Sequence, residues 1–122
     1  MNKIVQAVNA MVSNPGLITN VVSSATETFF LYKGKYKWSM HKDEDGEYTL
    51  WYYPGGGRIE DLAAIDDGSY WEDIPMVIYR TAELGTREAR ASFADLYTTV
   101  KEKAFGMDDV LSDIISDADT PF

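Results

Sequence analysis

Between Thr28 and Tyr53 the chain is crowded with aromatic residues, and the run is broken by two glycine-containing dipeptides, Lys33-Gly34 and Asp45-Gly46. Glycine reaches positive φ without steric cost, which tight hairpin turns require. The segment therefore predicts three antiparallel strands, at roughly 28 to 32, 35 to 42 and 47 to 53. A two-residue turn at Asp45-Gly46 pairs Met40 with Trp51 and Trp38 with Tyr53, and a four-residue turn over Asp43 to Gly46 pairs Trp38 with Trp51. The two registers differ by an even shift, so they predict the same faces. One face collects Phe29, Leu31, Tyr36, Trp38, Met40, Trp51 and Tyr53 and reads as the core side. The other carries Phe30, Tyr32, Lys35, Lys37, Ser39, His41, Tyr48, Leu50 and Tyr52, an unusually aromatic composition for a wet face.

The flanks read as helical. Ile4, Val5, Val8, Met11 and Val12 recur on one helical face over residues 3 to 13. Asn14-Pro15 is a stop and restart, after which Leu17, Ile18, Val21, Val22 and Ala25 supply a second apolar face, so a helical hairpin is expected. Beyond the strands, Ile59, Leu62 and Ile65 mark a short helix ending in an Asp66-Asp67-Gly68 turn, and Pro75 to Arg80 reads as a fourth strand. Thr86 caps a long helix with the stripe Ala89, Phe93, Leu96, Tyr97, Val100 and Ala104, closed by Gly106. A last helix, about 108 to 118, is expected to bury Val110, Leu111, Ile114 and Ile115. The fold class is α+β: one domain over residues 1 to 122, with an N-terminal helical hairpin, a three- to four-stranded antiparallel meander, and C-terminal helices packed on one face.

Charge is distributed unevenly. Residues 1 to 42 hold five lysines against Glu27 alone, whereas residues 43 to 122 hold six basic and nineteen acidic residues, for a net −9. Such a body repels nucleic acid and anionic membranes and suits a basic partner. The absence of cysteine excludes disulfide, thiolate and cysteine-metal chemistry and suits a reducing cytosol. The first residues lack an unbroken apolar signal region, and no apolar run has spanning length, so a cytoplasmic location is expected.

The stretch Pro54-Gly55-Gly56-Gly57-Arg58 raises the question of a phosphate loop. Neither glycine spacing known for phosphate binding occurs, and Glu60 and Asp61 follow in the first helical turn, where they repel an anion. The loop reads as a connector. His41 is the only histidine, and beside tyrosines it reads as a surface residue. Asp43 to Glu47 resembles a calcium loop, but aligning its glycine puts His41 and Tyr52 where the end ligands belong, so a solvated hairpin tip is the better account. The pairs Asp66-Asp67, Glu72-Asp73 and Asp108-Asp109 are compatible with glycosidase chemistry, yet pairs like these arise by chance in so acidic a chain. Lysines among Phe30, Tyr32, Tyr48 and Tyr52 suit single-stranded nucleic acid; a helix covering that face, with lysines at its edge, is the simpler reading.

No motif names a reaction, a cofactor or a metal. The expected function is a non-catalytic acidic protein-binding module, in the form of an inhibitor occupying the basic, nucleic-acid-binding surface of a partner, as a phage or mobile element carries. Its contact residues are expected at Glu60, Asp61, Asp66, Asp67, Asp108, Asp109, Asp113 and Asp117, with Asp119 extending the series. The alternative is a small-ligand or enzymatic domain built on Tyr32, Lys35, Lys37, His41, Tyr48, Tyr52 and Arg58 together with the Gly55 to Gly57 loop. A third reading is a homodimer formed through exposed aromatics.

Overall fold

The computed structural model describes residues 2–24, 26–65 and 73–119. Helix α1 (Lys3–Ser13) starts where the Asn2 side chain accepts the Ile4 amide hydrogen at 2.9 Å. Asn14 then ends it, and Pro15–Leu17 forms a single 3-10 turn. Strands β1 (Ile18–Ser23), β2 (Thr28–Tyr32), β3 (Tyr36–Lys42), β4 (Tyr48–Tyr53) and β5 (Val77–Arg80) form one antiparallel sheet in sequence order. Short helix α2 (Ile59–Ala63) separates β4 from β5 in the chain. After β5 come α3 (Thr81–Leu84), the long α4 (Arg87–Ala104) and α5 (Met107–Asp119). As the sequence predicts, the Thr86 hydroxyl caps α4, accepting the Ala89 amide hydrogen at 3.1 Å, and Gly106 takes positive φ at its end.

The expected second helix of a hairpin is instead the edge strand β1, which brings the sheet to five strands. Two causes are visible. Ile18, Thr19, Val21 and Val22 are β-branched and stiff in a helix but fit a pleated surface. In addition, Asn20 sits at φ 54°, and the pairing register slips between Thr19 and Val22. This bulge sends Ile18 and Val21 to one side of the sheet and Val22 to the other. A spacing of three therefore returns to the same face, which imitates helical periodicity. The position Ala25, also assigned to that helix, lies outside the described residues.

Both hairpin registers differ from expectation by one residue, an odd shift that reverses faces. At the first turn, Lys33 and Gly34 both have positive φ and Lys35 N–H donates to Tyr32 O at 3.3 Å, as a two-residue turn demands. Lys35 is nevertheless an extra residue, because the strands pair Tyr32 with Tyr36 and Phe30 with Trp38. At the second turn, the Asp43 amide donates to Glu47 O at 2.9 Å, Gly46 has φ 81°, and Trp38 pairs with Tyr52 and Met40 with Leu50. Phe30, Tyr32, Trp38, Met40, Tyr48, Leu50 and Tyr52 thus share one face, and Phe29, Leu31, Lys37, Ser39, His41, Trp51 and Tyr53 share the other.

The sheet has helices on both faces rather than one. On the first face, Ile18, Phe30, Met40 and Leu50 pack against Ile4, Val5, Val8 and Met11 of α1 and Ala89, Phe93, Leu96 and Val100 of α4. On the second, Ile59 and Leu62 of α2 cover Phe29 and Tyr53, whose rings lie 5.9 Å apart, with Val22 and Leu31 alongside. Helix α5 has the expected position but not the expected burial. Val110, Leu111, Ile114 and Ile115 are 44%, 49%, 59% and 61% exposed, because α5 extends beyond the end of α4 instead of lying on the sheet.

Candidate functional site

The reversed registers divide the expected aromatic and basic surface. Tyr32, Tyr48 and Tyr52 lie on the α1/α4 face, whereas Lys37 and His41 lie on the opposite one. Lys35 belongs to the first turn and Arg58 to the loop before α2. The outer end of the aromatic face is open. There Tyr36, Trp38, Tyr52 and Tyr79 border a groove of about 330 Å³ beside Ala7 and Ala10 of α1. Lysines do edge this face: Lys35 Nζ lies 4.9 Å from the Tyr36 ring centre and Lys42 Nζ 5.9 Å from that of Tyr48.

The glycine loop presents the wrong atoms for phosphate. Lys37 Nζ donates to the carbonyl oxygens of Gly55 and Gly57, the latter at 3.0 Å, so these carbonyls face an ammonium group. Gly57 has φ 101°, a conformation that favours glycine. Arg58, 76% exposed at its side chain, pairs with Glu60 at 3.5 Å. The loop is a connector fastened to β3, and its neighbouring cations are engaged by acceptors of the same chain.

The hairpin tip is tied down more firmly than a solvated turn. Asp43 Oδ1 accepts the amide hydrogens of Asp45 and Glu47, each at 2.9 Å. Glu47 accepts from Thr81 Oγ1 and from Arg90 Nε, the latter at 2.9 Å, and these bonds hold its carboxyl below the usual carboxylate range. Thr81 Oγ1 also accepts the Tyr48 amide hydrogen at 2.9 Å. The tip is thereby joined to α3 and α4. Among the described residues, no group of three or more acidic or histidine side chains is placed to hold a metal ion.

His41 has company that the sequence reading did not assign to it. Its Nδ1 lies 2.7 Å from Thr26 O, and since a carbonyl only accepts, Nδ1 carries the hydrogen. Glu27 immediately precedes β2, whose Thr28 pairs with Met40 next to His41, and both Glu27 and His41 line the same recess. Burial pushes the Glu27 carboxyl above its ordinary pKa, opposed by the charge of His41 and a hydrogen bond with Ser39. Ser39 Oγ in turn lies 2.7 Å from Tyr53 OH, a phenol that burial pushes up. Thr26, Glu27, His41, Trp51, Tyr53 and Met76 line a recess of about 380 Å³. The signal for this cluster was the β2/β3 register, which the extra residue at Lys35 concealed.

The acidic residues separate by element. Glu60 and Asp61 open α2, which packs on β1 and β2, and Asp66 and Asp67 lie outside the described residues, as does Glu72. Asp108, Asp109, Asp113 and Asp117 all lie on α5, where every residue from Asp108 to Asp117 is exposed. At 3.6 residues per turn, Val110, Leu111, Ile114 and Ile115 form one stripe, and the aspartates occupy the remaining circumference. Phe105, two residues before α5, is 73% exposed. Met107 and Leu111 at the base of the stripe border a recess with Pro15, Gly16 and Thr99. Among the described residues, no helix is long and apolar enough to cross a membrane.

The molecule is thus an α+β protein with a five-stranded antiparallel meander and a projecting acidic amphipathic helix. In comparisons with known proteins, no family, no curated protein and no solved structure matches the chain.

Proposed function

We propose that this protein is a non-catalytic binding module whose contact element is α5. The observation that carries the reading is the apolar stripe of α5, 44% to 61% exposed on a helix with no basic residue. Four adjacent aliphatic side chains in water form the kind of patch that marks an interaction site. An amphipathic helix of this length fits an apolar groove, with residues at i, i+1, i+4 and i+5 as anchors. The flanking aspartates select a groove bordered by Lys or Arg. They also disfavour a second α5 as the occupant, since two such stripes face to face bring like charges together. A protein whose basic surface otherwise grips nucleic acid meets the description, and covering that surface would inhibit it.

The test compares the native chain with two variants in capture from a host lysate at low and high salt. One carries Leu111→Ser and Ile114→Ser; the other carries Asp109→Lys and Asp113→Lys. Retention of one basic partner by the native chain, its loss with either variant, and weakening by salt support the reading. Equal capture by all three proteins, or a symmetric dimer through α5 in light scattering, overturns it.

A further inference from the structure

The recess on the second sheet face is separate from α5 and carries its own chemistry. Its walls are the Trp51 indole, the Tyr53 ring and the Met76 thioether, and its polar edge is the Glu27 carboxyl beside His41. Its volume of about 380 Å³ falls within the range of small-ligand pockets. The polar groups are held in place before any ligand arrives. Tyr53 and Ser39 are joined at 2.7 Å, Ser39 bonds Glu27, and the Thr26 carbonyl fixes the imidazole through Nδ1.

We propose that this recess binds an organic ammonium group attached to an apolar or aromatic body. Glu27 is a partly desolvated carboxyl, yet among the described residues no lysine or arginine borders the recess. His41 lines the recess beside Glu27, and its Nδ1 hydrogen is committed to the Thr26 carbonyl. A carboxylate offers about four acceptor positions, and Ser39 supplies one donor, so an ammonium finds acceptors there. The electron-rich faces of Trp51 and Tyr53 attract the same charge, and desolvation strengthens that attraction. An anionic ligand is disfavoured twice, by Glu27 locally and by the net charge of −9. Burial resists ionisation of Glu27, and a bound cation relieves that cost by pairing with it. The ammonium belongs either to a free amine or to a lysine side chain of another protein. This inference does not depend on α5 having a partner.

The experiment is an amide-correlation NMR titration of the full chain at neutral pH with benzylammonium, with benzyl alcohol as the uncharged counterpart. Shifts confined to Glu27, His41, Trp51 and Tyr53 with benzylammonium, at least about tenfold weaker with benzyl alcohol, are expected. Glu27→Gln, which keeps an acceptor for Ser39, should weaken benzylammonium by a similar factor. Should that variant lose the native spectrum, Trp51→Leu serves as the second arm, with the same expected weakening. A short acetylated and amidated Gly-Lys-Gly peptide separates the sources: comparable binding assigns the recess to lysine side chains, and selective binding of benzylammonium assigns it to free amines. Equal affinity for the amine and the alcohol, or no localised shift with either, overturns the proposal.

Discussion

Removing α5 should separate its role in binding from any role in folding. Consider the chain ended after Gly106. If Val110, Leu111, Ile114 and Ile115 were core residues, each would contribute about 1.5–3 kcal/mol of burial, and losing all four would remove about 6–12 kcal/mol. That rivals the whole stability of an ordinary domain, about 5–15 kcal/mol, and the truncated chain would not fold. The observed exposures of 44% to 61% leave little tertiary burial to lose, and the packing at risk is that of Met107 and Leu111 near Pro15 and Gly16. The expected cost is therefore below about 2 kcal/mol, a fall in Tm of less than about 8 °C. Calorimetry and urea unfolding measure this directly. Far-UV circular dichroism should show a loss of no more than the 13 residues of α5, since α1 and α4 pack on the sheet without it. A truncated chain without a cooperative transition would refute the reasoning and return α5 to the core.

Three further outcomes follow from the packing and the hydrogen bonds. Phe93 of α4, fully buried in the core shared with α1 and the sheet, should cost about 3–5 kcal/mol as Phe93→Ala in urea unfolding. Asn20→Val places a β-branched residue at φ 54° and should destabilise by about 1–3 kcal/mol, whereas Asn20→Gly should be nearly neutral; equal costs would argue against a bulge there. Glu47 has a folded pKa below the ordinary value of 4.5, so its contribution is present above that value and fades as pH falls through the folded pKa. Glu47→Gln should therefore lower stability at neutral pH, with the gap to the native chain closing in acid; a gap constant with pH would contradict the Thr81 and Arg90 bonds.

Much of the fold was legible because local chemistry and tertiary structure agree. The α1 stripe, the Thr86 cap and the glycine at Gly106 each have one local solution, and the structure adopts it, and the aromatic run forms the three expected strands with turns at the two expected places, though in other registers. Errors arose where one residue changes a parity. Lys35 as an extra residue and the bulge at Asn20 each move alternate side chains to the opposite face, and neither leaves a compositional mark. The candidate sites inherited those errors. Lys37, expected beside Tyr32 and Tyr52, faces the other side of the sheet, and Glu27 comes to His41.

By itself, then, the sequence determined the element types along most of the chain, the acidic balance, and the amphipathic pattern of α5, because these depend on residues a few positions apart. It did not determine whether the α5 stripe would be buried. Amphipathicity states that a helix has an apolar side; only the tertiary structure decides whether the core still has surface to offer it. Here α1 and α4 already occupy the first sheet face and α2 part of the second, so the stripe of Val110, Leu111, Ile114 and Ile115 is left facing water.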